Sequence, residues 1–276
     1  MINSGSVNLP VTKLKGKPKL ITVYNPLRRN RNIGTSRQGH GQDNKLVIPH
    51  PCVSSLSFHE RLGSYDKFER TINDQIFVFV IEKTREGVSH ACSINDIVKI
   101  LEFVPCADIK DLKLIVLRQP KRKEEILSPV WGRLIYSYEF ERDYYPAIIM
   151  EAVECGKKMK WPVKLSLESQ RELDRLKLDG HIIIQDTRFT IIHYTLENVC
   201  NTQLYRTLLH EIGHYVHYLR DVKRPGYEGE PFEAWELRND LYFNKPQIER
   251  EQFANKYAEI LRADIIEKQI IPFEKL

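Results

Sequence analysis

A chain of 276 residues holds one large domain or two small ones, and an apolar content of 42% supplies a core for either. No window pairs a basic start with an apolar stretch, and the strongest apolar run, Ile76 to Ile81, is too short to span a bilayer. Secreted and membrane-embedded classes are thereby disfavoured, and the expectation is a cytoplasmic protein without membrane contact.

The net charge of +5 is unevenly placed. Residues 11–45 carry nine basic side chains against Asp43 alone, so this stretch is more positive than the whole chain. Interspersed Gly, Pro, Asn and Ser make residues 1–45 a basic flexible arm. Such an arm either touches a polyanion through its charge or serves as a tail or docking segment. Tyr24 is its only aromatic residue, which leaves little for base stacking and favours the tail.

Residues 46–130 read as an α/β segment of unassigned role, either a separate lobe or an elaboration of the sheet that follows. Ile76 to Ile81 is a buried-strand candidate. Ser93 and Asp96 form a capping box before a short amphipathic helix with Ile94, Ile97, Val98 and Leu101 on one face. Leu112 to Leu117 is a second apolar strand, and the stretch from Gln119 to Pro129 is a basic loop. Beyond it Leu134, Tyr136, Tyr138 and Phe140 alternate with polar neighbours, the pattern of an antiparallel strand. Pro146 opens another apolar run to Val153. Ser169 with Glu172 is the expected cap of a helix containing Leu173 and Leu176 that ends at Asp179-Gly180. His181 to Gln185 and Arg188 to Tyr194 flank Asp186-Thr187 as a hairpin, with His193 reading as a packed residue. Cysteines 52, 92, 106, 155 and 200 are scattered and form no C-x-x-C, which fits reduced thiols. Cys200 reads as a buried thiol rather than a nucleophile.

Next comes His210-Glu211-Ile212-Gly213-His214, an H-E-x-x-H sequence within a helical pattern. Leu204, Leu208, Ile212, Val216 and Leu219 form its apolar stripe; Asn201 or Thr202 is the expected cap, and Pro225-Gly226 ends the pattern. At 3.6 residues per turn His210 and His214 point the same way and can reach one metal ion, while Glu211 sits beside that line as a base. Zinc hydrolysis needs this donor type, an open position for water, and a third protein ligand. No histidine follows His217, which is itself too close on the same helix, so a carboxylate must complete the set. Glu251 is the leading candidate. It precedes an apolar seam of Ala254, Tyr257, Ala258 and Leu261, whose small residues allow close helix packing, and Asn255 one turn on can hold its carboxylate.

This combination, H-E-x-G-H followed by Glu251, Ala254, Asn255, Tyr257 and Ala258, resembles the ImmA/IrrE-type metallopeptidases of the gluzincin group of zincins. The resemblance is one of motifs and spans residues from about 130 to 265. It implies that His210, His214 and Glu251 bind one zinc ion and that Glu211 is the general base. Two departures stand out: the interval between the motifs is long, and it contains Glu236-Leu237-Arg238-Asn239-Asp240. That E-x-x-x-D is similar to a thermolysin-like pattern and makes Glu236 the alternative third ligand, against a plain solvated helix face.

The fold expected from this resemblance is α+β: a zincin-like catalytic domain over 131–276 with a mixed sheet, a motif helix and a glutamate helix, preceded by the α/β segment and the basic arm. In such a domain the strand before the motif helix lies along the cleft, and residues 188–194 take that place. The expected function is intracellular zinc-dependent cleavage of peptide bonds in a peptide or protein substrate. Glu211 takes the water proton and passes it to the leaving amine. Tyr227 and Tyr242 are the candidates for a donor to the developing oxyanion. The alternatives are a zincin-fold regulator that binds zinc without turnover, and a nucleic-acid-associated factor using the basic arm.

Overall fold

The computed structural model describes residues 61–121, 130–154, 156 and 158–274. The basic arm, Cys52, Cys155 and most of the loop after Gln119 lie outside the described residues. Those described belong to one unit, Leu56–Leu276.

A five-stranded mixed sheet carries the fold, in the order β1-β2-β4-β6-β5. Strands β1 (Tyr65–Ile72) and β2 (Gln75–Glu82) form a hairpin whose turn residues, Asn73 and Asp74, both take positive φ. That conformation matches the right-handed twist of the strands, and Asn and Asp tolerate it well. A short strand β3 (Val88–Ser89) and two helices, α1 (Ile94–Leu101) and α2 (Cys106–Ile109), lead to β4 (Leu114–Arg118), parallel to β2. The capping box at α1 is present: Ser93 Oγ accepts from the Asp96 N–H, and Asp96 Oδ2 accepts from the Ser93 N–H. β6 (Asp143–Glu151) runs parallel to β4, and β5 (Gly132–Phe140) pairs antiparallel to β6 as the outer strand. Residues on both sides of position 130 therefore share one sheet, and the boundary expected there runs through it. Every residue of β4 is buried, as suits a central parallel strand covered on both faces.

One face of the sheet (Phe77, Phe79, Ile115, Leu117, Ile148, Met150) joins the helices in the main core. The other carries Val80, Leu114, Val116, Tyr138, Phe140, Ala147 and Ile149. The alternation expected along β5 is thus broken, since Tyr138 and Phe140 lie on the face opposite the helices. Two residues of β5, Tyr136 and Ser137, oppose Pro146 alone on β6. Proline has no N–H to give to the ladder, and a bulge at this point absorbs the missing bond while shifting the phase of the strand by one.

After β7 (Val153–Glu154), which pairs with β3, a second sheet forms from β8 (Lys158–Pro162), β9 (Ile182–Gln185) and β10 (Phe189–His193), in the order β8-β10-β9. The hairpin expected around Asp186 is present, and Asp186 Oδ1 accepts from the N–H groups of Arg188 and Phe189. Helix α3 (Leu167–Leu178) packs Leu173 and Leu176 on this sheet. Its cap is Ser166, not Ser169, because Ser166 Oγ receives the Ser169 N–H. The element carrying the motif is longer than its apolar stripe suggests. It runs as α4 (Leu196–Thr202), a π-helical turn Gln203–Thr207, α5 (Leu208–Tyr218) and a second π-helical turn Leu219–Lys223. Its cap is accordingly Thr195, whose Oγ1 accepts from the Asn198 N–H; Asn201 and Thr202 lie inside the helix, with Thr202 donating to Asp179. Helices α6 (Phe232–Phe243) and α7 (Gln247–Glu267) complete the order. No helix among the described residues is long and apolar enough to cross a membrane.

Candidate metal centre

The five stripe residues Leu204, Leu208, Ile212, Val216 and Leu219 are all buried. With that face fixed in the core, His210 and His214 are left half-buried on the neighbouring face, one turn apart, with ring centroids 4.6 Å from each other and planes almost perpendicular. Helix α7 lies directly against α5. The contact is close because Gly213 has no side chain: a Cβ there would meet the Ala254 carbonyl oxygen at 2.7 Å and its Cα at 2.9 Å. The Gly213–Ala254 approach brings the first turns of α7, and with them Glu251, across the two histidines.

Glu251 Oε2 lies 3.3 Å from His210 Nε2 and 3.6 Å from His214 Nε2. Two ligands each about 2.0–2.1 Å from a tetrahedral ion stand about 3.3–3.4 Å apart, so these separations suit one small ion between them. The three donor atoms all fall within 4.8 Å of one another, and no second group of this kind occurs among the described residues. Two imidazole nitrogens and one carboxylate oxygen are also a donor set that zinc accepts with a position left open. His210, His214 and Glu251 could therefore hold a metal ion.

The charges at the site are coupled. Burial would lower the His210 pKa, but Glu251 beside it reverses this and leaves it raised. Hydrogen bonds from His210 and then His214 hold the Glu251 carboxyl far below the usual range. Glu211 turns its carboxyl into the protein, where Oε2 accepts the Leu134 N–H at 2.8 Å. Burial pushes its pKa up, against the pull of the two histidines and the Leu134 bond. The Glu211 carboxyl is thus anchored near the two histidines and is not among the three donors.

Several expectations need revision. Asn255 acts on the His210 ring, where it helps to raise the pKa, and not on the Glu251 carboxylate alone. Glu236 is exposed on α6 and belongs to no metal-type group among the described residues. Tyr227 is exposed in the loop before α6, and Tyr242 is buried against the last turns of the motif helix beside His217 and Tyr218, where its hydroxyl reaches the His214 carbonyl at 3.4 Å. Strand β10, expected along the cleft, is the middle strand of its sheet, bonded to β8 on one side and β9 on the other, and has no free edge to offer. The strand beside the motif helix is β5. Its role was missed because a backbone N–H 77 residues before Glu211 leaves no mark in a motif. His217, set aside as a ligand, is buried with Nε2 3.1 Å from Asp221 Oδ2 and its ring stacked on Phe253.

Comparison with known proteins finds no matching family model, no matching curated protein and no matching solved structure. The reading of the site therefore rests on its residues.

Proposed function

We propose that this chain is a zinc-dependent peptidase with a zincin-type catalytic centre formed by His210, His214, Glu251 and Glu211. The observation that carries the proposal is the convergence of one carboxylate oxygen from α7 on two imidazole nitrogens of α5, at ligand-to-ligand distances, beside a separately anchored glutamate. Zinc bound there supplies Lewis acidity toward a substrate carbonyl and lowers the pKa of a water to about 7. Glu211 receives the proton of the attacking water and delivers it to the leaving amine. Its bond from Leu134 holds one carboxylate oxygen in place and leaves the other for that transfer. Asn255, one turn after Glu251, is placed to support the His210 imidazole, as partners of metal-bound histidines do. The five cysteines are scattered and form no C-x-x-C, which supports a reducing compartment such as the cytoplasm.

The test is Glu211→Gln in zinc-loaded protein. The variant keeps about one equivalent of zinc by elemental analysis while cleavage of a fluorescein-labelled casein falls on the order of 10²–10⁴-fold. Cleavage undiminished in the variant removes Glu211 from the mechanism. A zinc-loaded wild type that cleaves no peptide removes the enzyme reading and leaves a zinc-binding regulator.

A further inference from the structure

A tyrosine of β5 packs on the motif helix one turn beyond His214. Leu134 is fixed against the motif helix by its bond to Glu211, and Tyr136, two residues on, faces the same helix. Its ring packs 4.8 Å from Tyr218, 5.2 Å from Phe243 and 5.9 Å from Tyr242, centroid to centroid. Its hydroxyl lies 3.0 Å from the Tyr242 hydroxyl, which in turn lies 3.4 Å from the His214 carbonyl oxygen.

Each phenol has a single proton, and this decides what the pair can do. While Tyr242 donates to the His214 carbonyl, the proton of Tyr136 is engaged with Tyr242. The bond to the carbonyl is long and at the weak end of the range. If Tyr242 turns its proton to Tyr136 instead, the shorter contact is kept and the Tyr136 proton is free for a third acceptor. Tyr242 is 1% exposed and cannot reach a substrate, whereas Tyr136 is only partly buried.

We infer that Tyr136 is the hydroxyl that donates to the oxyanion developing at this centre, with Tyr242 behind it as a positioning residue. The inference rests on the peptidase reading and adds to it the residue that stabilises the transition state. It replaces both Tyr227 and Tyr242 in that part. Burial, and then the neighbouring Tyr242, keep the Tyr136 phenol protonated at any physiological pH, so the proton is always there to donate. The Arg250 guanidinium acts in the opposite direction on the same phenol and strengthens it as a donor; its carbon lies 5.9 Å from the centroids of both Tyr242 and Phe243. Donors held in place where charge develops act at full strength because nothing has to reorganise.

The experiment compares Tyr136→Phe, Tyr242→Phe and Tyr227→Phe in the full zinc-loaded chain, measuring kcat and KM on a casein-derived peptide, zinc content and melting temperature. Tyr136→Phe keeps the ring and is expected to lower kcat on the order of 10²–10³-fold, with KM and zinc content near wild type. Tyr242→Phe is expected to lower kcat by a smaller factor, and Tyr227→Phe to leave it unchanged. Wild-type kcat in Tyr136→Phe overturns the inference while the peptidase reading stands. So does a fall in kcat that only tracks lost zinc, since that marks a packing role. If Tyr136→Phe does not fold, Tyr242→Phe decides: lower kcat at full zinc supports the inference, and unchanged kcat overturns it. No cleavage by the wild type removes the peptidase reading, and the inference with it.

Discussion

Helices α6 and α7 both follow the motif and both carry a glutamate at a plausible distance from it, yet only α7 delivers one to the histidines. The difference lies in how each helix is held. Helix α7 buries Ala254, Ala258, Leu261 and Ile265, and it approaches α5 at Gly213 with no side chain between them. Helix α6 is attached mainly by polar and aromatic contacts: Arg238 Nε donates to the Val222 carbonyl, Tyr218 donates to Asn239, and Trp235 and Tyr242 join a small cluster with Tyr218 and Val222. Phe232, Leu237 and Leu241 of α6 remain exposed. Small residues at a helix crossing thus position a ligand more effectively than sequence spacing does, because spacing fixes reach and packing fixes direction.

The largest expected effect sharpens this contrast at the ligands. Glu251→Gln replaces a charged donor with a neutral amide, and loss of a direct ligand should exceed the 10–100-fold cost typical of its supporting partners. Zinc affinity, measured by competition with a chromophoric chelator, is expected to fall at least 100-fold in Glu251→Gln and to be unchanged in Glu236→Gln. The reverse pattern would move the third ligand to α6 and break the comparison.

Gly213→Ala tests the packing itself. The added methyl meets backbone atoms of Ala254, which cannot swing aside as a long side chain would. Overpacking of this kind costs about 1–3 kcal/mol. The expected result is a urea midpoint lowered accordingly, with weakened zinc binding as α7 is displaced. A variant as stable as wild type, with full zinc affinity, would show that the helix pair has slack and that the crossing does not set the ligand geometry.

Much of this was legible in the chain. The motif helix, the glutamate helix and their small-residue seam could be read because α-helical periodicity puts ligands and packing residues at fixed local spacings. Strands β2 and β4 and the capping box at Ser93 were legible from equally local patterns, as was the existence of β5 though not its phase, while β6 showed only as an apolar run. Strand β1 was not: its Asp66, Lys67, Glu69 and Arg70 are the charges of an outer strand, and seven of its eight residues are exposed. The helix caps were placed too late at Asn201 and Thr202, since the helix continues through a π-helical turn upstream of the motif. The roles of Leu134 and Tyr136 depend on which strand lies beside which helix, a long-range fact. One local signal was available: Pro146, opposite Tyr136 and Ser137, forecasts a bulge once the pairing of β5 with β6 is known.

The weaker attachment of α6 has a consequence in acid. The turn that joins α6 to α7 is tied to the motif element by Lys245 Nζ, 2.9 Å from Asp221 Oδ2, and Asp221 also holds Arg220 and His217. Burial alone would raise the Asp221 pKa, but hydrogen bonds from Arg220 and Lys245 bring it down to about 2. A carboxyl with a depressed folded pKa stabilises the protein fully above its unfolded value, near 4, and loses that contribution as pH falls toward 2. Asp221→Asn should therefore be less stable than wild type by about 1–2 kcal/mol at pH 6, and the gap should close between about pH 4 and pH 2. Urea melts of metal-free protein at pH 6, 4 and 2.5 measure it, and the metal-free state keeps ligand protonation common to both proteins. Zinc affinity near neutral pH should hardly change, because the Gly213–Ala254 contact that aims Glu251 does not involve Asp221. A large loss of zinc in Asp221→Asn would mean that charge in the π-helical turn after α5, and not the close helix crossing, sets the direction of the third ligand.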